Sequence, residues 1–417
     1  MRSPLLESLN DKKTHLSFHT PAHNGGIVID SRLDVTELSY SDNLLDAKGI
    51  ILESEQEVAK AYGVENVLYS TAGATTLIHV VIRALRGRGK FMLYGAIHKS
   101  VYNALRINNQ EAILYRGKDI EEALVKSGAK VLVCTSPNYF GEVLQLDEMR
   151  AICDKLGVVL VVDASHGAHF AFSSKLPQSA TKYADLVIHS QHKVMPTITG
   201  GASLCYTDTY KKEILRAFRE IHTTSPNYPV MLSIESGVKE YSERGEYLYD
   251  KVVEEIGLFK SKCTDTPFKV VDTADITRLV IEVGVSGDNI ANELEAKGIY
   301  PEMVYGSKLV FIVTPYNYIY LDTLYDALSE CSYDGNYEEI KVPEGEEYVE
   351  LILNGECKEI PLEEAEGKVS YSEVGLYPPG VPVISCGEKI TKEKIDFLIK
   401  NKSSLFGLEN GCVLVLK

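Results

Sequence analysis

The chain has 417 residues, 45% of them hydrophobic, enough for two or three domains with sizeable cores. Its net charge of −16 argues against a nucleic-acid partner, and its eight scattered cysteines form no Cys-x-x-Cys pair and no zinc-spaced cluster. The start, MRSPLLESLNDKK, has no apolar signal segment and no run is long enough to span a bilayer, so a cytoplasmic, reducing location is expected, with no membrane partner and no metal.

In chain order, His15 to Gly26, HLSFHTPAHNGG, reads as an ordered loop, and Ile51 to Tyr62 as an amphipathic helix. A strand over Val64 to Tyr69 leads through Ser70-Thr71-Ala72-Gly73-Ala74-Thr75 into an apolar helix, Leu77 to Leu85. Small residues between a strand and a helix let backbone N–H groups close around a phosphate. Strands over Lys90 to Tyr94, Ala112 to Tyr115, Lys130 to Cys134 and Val158 to Val162 then alternate with helices at Ile120 to Lys126 and Leu146 to Leu156. A helix is also expected after His98-Lys99-Ser100. This rhythm implies an α/β fold with a mostly parallel sheet covered on both faces. Polar clusters fall at the C-terminal strand ends, where ligands bind in such sheets.

The stretch Ala184 to Ala202, ADLVIHSQHKVMPTITGGA, carries the sharpest chemical signal. A buried strand runs directly into Ser190-Gln191-His192-Lys193, and Gly200-Gly201 opens the next strand, Ala202 to Tyr206. A lysine there, beside small polar groups, suits a Schiff base with pyridoxal 5′-phosphate (PLP). Asp163, ending an earlier strand, can pair with the protonated pyridine nitrogen. His98 can lie flat on the ring, while His166 and His192 can donate to the phosphate or ring hydroxyl. Arg278, in a strand of a second unit starting near Phe268, can clamp a substrate carboxylate, although a surface arginine is an alternative. Long helical sequence to about Lys262 separates the two units. Further helices are expected at Asn289 to Lys297, Thr323 to Cys331 and Lys392 to Lys400, with a strand at Lys308 to Thr314 and an acidic linker over Tyr333 to Glu350.

These residues together resemble the ornithine/lysine/arginine decarboxylase family in a short form. The resemblance covers nearly the whole chain. It rests on Phe18 to Gly26, Ser70 to Thr75, His98-Lys99-Ser100, Thr135-Ser136-Pro137, Asp163 to Phe170 and Ser190 to Lys193. The C-terminal half adds Thr277-Arg278-Leu279, Gly298 to Met303, Thr314-Pro315-Tyr316 and Tyr377-Pro378-Pro379-Gly380-Val381-Pro382, the last specific to the family.

The resemblance implies the aspartate aminotransferase-like fold (fold type I): a mostly parallel large domain and smaller α+β C-terminal domains. The expected division is an N-terminal segment at 1–30, a PLP-binding domain at 31–265, a small α+β domain at 266–335 and a C-terminal decarboxylase-family domain at 336–417. It implies that Lys193 holds PLP covalently, Asp163 pairs with the ring nitrogen and His98 stacks on the ring. Ser190, His192, Ala72, Gly73, Ala74 and Thr75 would surround the phosphate, and Ser136, Ser165 and His166 complete the cofactor set. Arg278 and Glu373 are the candidate substrate residues. A homodimer or higher homo-oligomer is implied, each site completed by its neighbour.

Three motifs depart from the family pattern. Pro21-Ala22-His23-Asn24 replaces Pro-Gly-His-Lys. Ala72 and Ala74 replace polar side chains of an Asn-Gly-Thr-Ser turn. Asp163-Ala164-Ser165-His166 replaces Asp-Glu-Ala-His. The chain begins at the catalytic region, without the extra N-terminal domain of long inducible members, so assemblies built on that domain are not expected. The expected activity is decarboxylation of arginine, lysine or ornithine to its amine and CO2, placed in polyamine biosynthesis. Transamination or β-elimination on the same fold, and an inactive PLP-binding regulatory paralogue, are the alternatives.

Overall fold

The computed structural model describes residues 16–19, 23, 33–335, 341–377, 379–401 and 405–417. Most of the 1–30 segment, including Pro21, Ala22 and Asn24, lies outside the described residues, as do 336–340 of the acidic stretch and Pro378 of the Tyr-Pro-Pro-Gly loop.

The elements run β1 (Leu16–Phe18), α1 (Ile50–Tyr62), β2 (Asn66–Ser70), α2 (Gly73–Leu85), β3 (Phe91–Tyr94), α3 (Lys99–Ile107) and β4 (Ala112–Tyr115). There follow α4 (Ile120–Ser127), β5 (Val131–Thr135), α5 (Leu146–Leu156), β6 (Val159–Asp163), β7 (Leu186–His189) and β8 (Ala202–Tyr206). Two helices, α6 (Lys211–Ile221) and α7 (Tyr228–Lys262), lead to β9 (Lys269–Val271) and β10 (Arg278–Glu282). Next come α8 (Gly287–Ala296), β11 (Ile299–Pro301), β12 (Met303–Tyr305), β13 (Lys308–Ile312) and α9 (Leu321–Ser329). The C-terminal part holds β14 (Tyr348–Glu350), β15 (Cys357–Pro361), β16 (Val374–Leu376), β17 (Val381–Ile384), α10 (Lys392–Lys400), β18 (Leu405–Phe406) and β19 (Cys412–Leu416).

The large sheet has the order β14-β4-β3-β5-β6-β7-β8-β2. Strands β4, β3, β5, β6 and β7 are parallel and buried as short apolar runs, while β8 runs antiparallel between β7 and β2. The chain leaves β3 for β4 on one side and returns to β5 on the other. That reversal opens a crevice at the C-terminal ends of β3 and β5. The pairs Thr135↔Asp163 and Asp163↔Ile188 bring the ends of β5, β6 and β7 level at this edge.

Helix α7 is a single 35-residue rod. Asn227 accepts from Val230 N at 3.1 Å, and Pro229 occupies the first turn, a good start for a helix. Ile234, Val238, Tyr241, Gly245, Tyr249, Val252, Ile256 and Phe259 recur every three or four residues and are all buried. This stripe faces the large domain at one end and the second sheet, β12-β13-β10-β9, at the other; α7 touches both α1 and α9.

The stretch read as a linker differs. Tyr348–Glu350 is β14, paired antiparallel with β4 at the edge of the large sheet, because Val349 alternates inward between two outward polar side chains. Strands β1 and β11 also went unread, being only three residues each. The C-terminal unit has its own small core, including Leu362, Ile384, Ile395, Leu398, Val413 and Val415. Glu388 ties it to the large domain. Its fully buried carboxylate accepts from Lys394 Nζ at 2.6 Å, Arg116 Nη1 at 3.2 Å, and the amides of Glu346 (2.9 Å) and Ser385 (3.0 Å). Arg106 makes a second tie, donating from Nη1 and Nη2 to the two oxygens of Glu373 at 3.2 and 3.0 Å.

Glu55 of α1 is 5% exposed, accepts from Tyr69 N at 2.9 Å and is pushed up to about 8 by burial. Between its unfolded value and pH 8 the unfolded chain releases a proton that the folded chain keeps, so folding weakens as pH rises through that window. Glu55→Gln keeps the acceptor for Tyr69 N and removes the titration. The variant is expected to match the parent in urea midpoint at pH 5 and to exceed it at pH 9, by a margin on the order of kcal/mol. Parallel pH dependence in the two proteins would contradict this.

Candidate active site

The polar groups at the C-terminal edge form one connected cluster. Lys193 ends the short helical turn Gln191–Lys193 that follows β7. Its Nζ lies 3.0 Å from His166 Nε2 and 5.2 Å from the centre of the Tyr139 ring. Burial lowers the affinity of this amine for a proton, with Arg278 adding to the effect and Asp163 and Glu302 opposing it. His166 Nδ1 lies 3.0 Å from Arg278 Nη2, so the imidazole bridges two basic side chains. Burial first, then Lys193 and Arg278, keep His166 neutral.

Asp163 is buried at the tip of β6. Ser165 donates to its Oδ1 twice, from the amide at 3.1 Å and from the hydroxyl at 2.5 Å. His98 caps α3, its Nδ1 accepting from Ser100 N at 3.2 Å and lying 2.8 Å from Ser100 Oγ. Burial pushes this ring down to about 4, against the pull of Asp163, so it is a neutral face near neutral pH. Ser136 is anchored to the framework: its amide donates to Asp163 O and its hydroxyl accepts from Leu144 N, each at 3.1 Å.

The expected phosphate turn sits at the start of α2, which begins four residues before its apolar run and has no side-chain cap. The Ala72 amide is taken by Ser70 Oγ (3.1 Å) and that of Gly73 by Gly200 O (2.8 Å). The first-turn amides of Ala74 and Thr75 are those left for an anion, aided by the helix dipole. Gly73 has φ +78 and nothing within 4 Å of where a Cβ would stand. Ser190 and His192 approach from β7, with His192 Nδ1 3.4 Å from Ser190 Oγ and 3.3 Å from Gly201 O. His23, the described member of the N-terminal motif, is near enough to oppose protonation of His192.

The two candidate substrate residues differ in what holds them. Glu373 has both oxygens held by Arg106. Arg278 is 1% exposed, with Nη2 on His166 Nδ1 and with Nε and Nη1 buried without a hydrogen-bond partner among the described residues. Three further residues neighbour the site. Tyr139 packs on His166 with ring centres 4.3 Å apart, Glu302 is sensed by Lys193, and Gly380 lies against His98. Only folding brings these together, since they come from three distant segments.

Among the described residues no group of acids, histidines and cysteines could hold a metal, and no helix is long and apolar enough to cross a membrane. All eight cysteines are free thiols.

The model of the Orn/Lys/Arg decarboxylase major domain matches residues 3–121 and 114–280, and that of the family's C-terminal domain matches 335–404. The chain belongs to the Orn/Lys/Arg decarboxylase family. It is 26% identical to YaaO of Bacillus subtilis (98% of this chain, 96% of YaaO) and 24% identical to the arginine decarboxylase of the same species (93% and 90%). Among solved structures it resembles the constitutive lysine decarboxylase of E. coli, with TM-score 0.73 and 18% identity over 93% of this chain and 75% of that one. Lysine decarboxylase A from Pseudomonas aeruginosa gives TM-score 0.75 and 14% identity (92% and 74%). The fold is therefore that of the PLP-dependent fold type I enzymes, and the chain is a PLP-dependent amino-acid decarboxylase. The residues present fit PLP: a buried amine of reduced basicity, a buried carboxylate, a neutral imidazole face and an uncapped helix start beside an open glycine.

The contact of Gly380 with His98 is testable. A Cβ at Gly380, whose φ is +78, would stand 2.8 Å from His98 Nε2, whereas Gly411, at φ +79, has nothing within 4 Å. Each Gly→Ala change carries the left-handed backbone cost of about 1–2 kcal/mol, but only that at Gly380 displaces the His98 ring. Gly380→Ala is expected to weaken PLP binding roughly tenfold, about 1.4 kcal/mol, and Gly411→Ala to leave it intact, both read by fluorescence titration.

Proposed function

We propose that the protein removes the α-carboxylate of a basic L-amino acid, arginine, lysine or ornithine, releasing CO2 and the corresponding amine. The observation that carries this reading is the single cluster of Lys193, His166, Asp163 and His98 at one sheet edge, in a chain matched by both family models. In this reading Lys193 holds the cofactor and Asp163 keeps its ring nitrogen protonated through the oxygen Ser165 leaves free. His98 covers the ring face. Ser190, His192 and the amides of Ala74 and Thr75 hold the phosphate. When bound, PLP supplies the sink for the electron pair left by the departing carboxylate.

A transaminase needs an arginine to clamp the α-carboxylate while a hydrogen is removed, whereas a decarboxylase favours a pocket that solvates the carboxylate poorly and so raises its ground-state energy. The match to both family models supports decarboxylation. The arginine decarboxylase relatives make arginine the first substrate to test. A place in polyamine biosynthesis, a cytoplasmic location and a homodimer or larger assembly complete the reading. The excess of acidic side chains suits a cationic substrate and no nucleic-acid partner.

Purified protein with PLP is expected to convert one of the three amino acids to amine and CO2 with little 2-oxo acid, and in deuterated water to place one deuterium on the former α-carbon. Stoichiometric 2-oxo acid would overturn the reading. Borohydride reduction and peptide mapping should put the pyridoxyl group on Lys193; recovery on Lys99, Lys175 or Lys182 would refute that assignment. Asp163→Asn is expected to retain PLP and lose roughly a hundredfold or more in turnover, whereas a near-normal rate would reduce the carboxylate to a structural cap.

A further inference from the structure

Arg278, His166 and Lys193 form a line with 3.0 Å at each step: Arg278 Nη2 to His166 Nδ1, and His166 Nε2 to Lys193 Nζ. A guanidinium only donates, so Nδ1 must accept and cannot carry a proton. His166 is 3% exposed and faces Lys193, Arg278, His98 and His192, with the Tyr139 ring against its side. The largest influences on it, burial and the surrounding Lys193, Arg278, His98 and His192, all oppose a second ring proton. The one proton of the neutral ring therefore sits on Nε2 and points at Lys193 Nζ. An ammonium has no lone pair to receive it; an uncharged amine has one.

We propose that Arg278 is a positioning residue that fixes His166 as its Nε2–H tautomer, and that His166 thereby holds Lys193 as an uncharged, aimed nucleophile before the cofactor arrives. Joining an amine to an aldehyde needs that lone pair. The new bond forms between Nζ and the aldehyde carbon, and both amine protons leave with the aldehyde oxygen as water. The groups facing Lys193 divide as this role requires. Burial and Arg278 favour the uncharged amine, Asp163 and Glu302 favour the charged one, and the His166 N–H supplies a directed bond that only the uncharged form accepts. The proposal rests on Lys193 being the attachment lysine, but not on which bond of the substrate is later broken.

Two measurements on the full-length chain stripped of PLP test it without any turnover. The first is the nitrogen-15 spectrum of histidine-labelled protein, with His166 assigned by its loss in His166→Asn. Expected is an Nε2-protonated, Nδ1-bare ring that does not change between pH 6 and 9. A doubly protonated or Nδ1–H ring in the parent protein overturns the proposal, and this result needs no Arg278 variant to fold. The second is competitive acetylation across pH, read peptide by peptide, in the parent, Arg278→Met and Arg278→Lys. Lys193 should titrate below the ordinary lysine range in the parent, as its burial requires. In Arg278→Met the His166 tautomer should become mixed and Lys193 acetylation at pH 7.5 should fall roughly tenfold, while Arg278→Lys, still a donor-only cation, should hold the tautomer. Unchanged tautomer and unchanged labelling in Arg278→Met would refute the role. The pyridoxyl mapping on Lys193 is scored separately, so failure of the attachment assignment is distinguishable from failure of the tautomer lock.

Discussion

The structure depends on burying ionisable groups at one sheet edge. Lys193, Arg278, Asp163 and Asp275 all approach the C-terminal end of β6 and the N-terminal end of β10. Each would be costly alone in a dry interior, where an unpaired charge is worth several kcal/mol. Arg278 and Lys193 share one neutral imidazole. Asp163 is answered by two donors from Ser165. Asp275 takes the amide and hydroxyl of Thr277 at 3.0 and 2.6 Å and faces His169, with Arg278 close enough to favour its charge. The balance is local and specific, so the parallel strands that deliver these residues must stay in register.

That requirement explains why a C-terminal unit with its own small core belongs to the catalytic assembly. It is pinned to the large domain at β14 beside β4, at the buried carboxylate of Glu388, and by Arg106 to Glu373. The last two are charge-assisted bonds with little exposure to screening, and removing either partner would strand a buried charge. Arg106 is on α3, the helix that His98 caps, so the pin at its far end steadies the ring at its near end. Gly380 O accepts from Lys99 N at 3.0 Å, closing the same contact from the other side. The mostly apolar cavity of about 210 Å³ between His98, Tyr139, Pro379 and Val383 lies along this seam.

The α/β core was legible because its buried strands are short apolar runs bounded by turns and alternate with amphipathic helices. Strands Ala112–Tyr115 and Ala202–Tyr206 and helix Leu146–Leu156 fall where the pattern places them. The start of α2 was misread by four residues because Gly73, Ala74 and Thr75 carry no apolar signal, although their backbone is helical. Strand β14 hid in an acidic stretch, since an edge strand with one inward side chain is hardly patterned. At the site, Lys193, Asp163, His98 and His166 were legible as polar residues closing strands. Sequence could not show that Arg278 would turn toward His166, because 112 positions separate them and only folding brings them together, with Asp275 N donating to Gly141 O at 2.8 Å just before β10. Glu373 presents the same ambiguity. A buried carboxylate looks the same in sequence whether its partner is a substrate cation or Arg106.

The departure of Asp-Ala-Ser-His from the family's usual motif also acquires a physical meaning. Ala164 is buried and apolar where the usual motif has a glutamate, so no second carboxylate competes for the cations of this cluster. Ser165 spends its hydroxyl on Asp163 Oδ1 at 2.5 Å, in addition to its amide. Two donors on one oxygen draw electron density from the carboxylate and fix its plane, and Ser165 leaves the other oxygen free. In the proposed role that oxygen would take the ring N–H of the cofactor: the fixed plane would strengthen the geometry, while the drawn density would weaken the grip on the proton. The neighbour that acts on Asp163 in this chain is thus a hydrogen-bonding serine, whose influence is confined to contact distance.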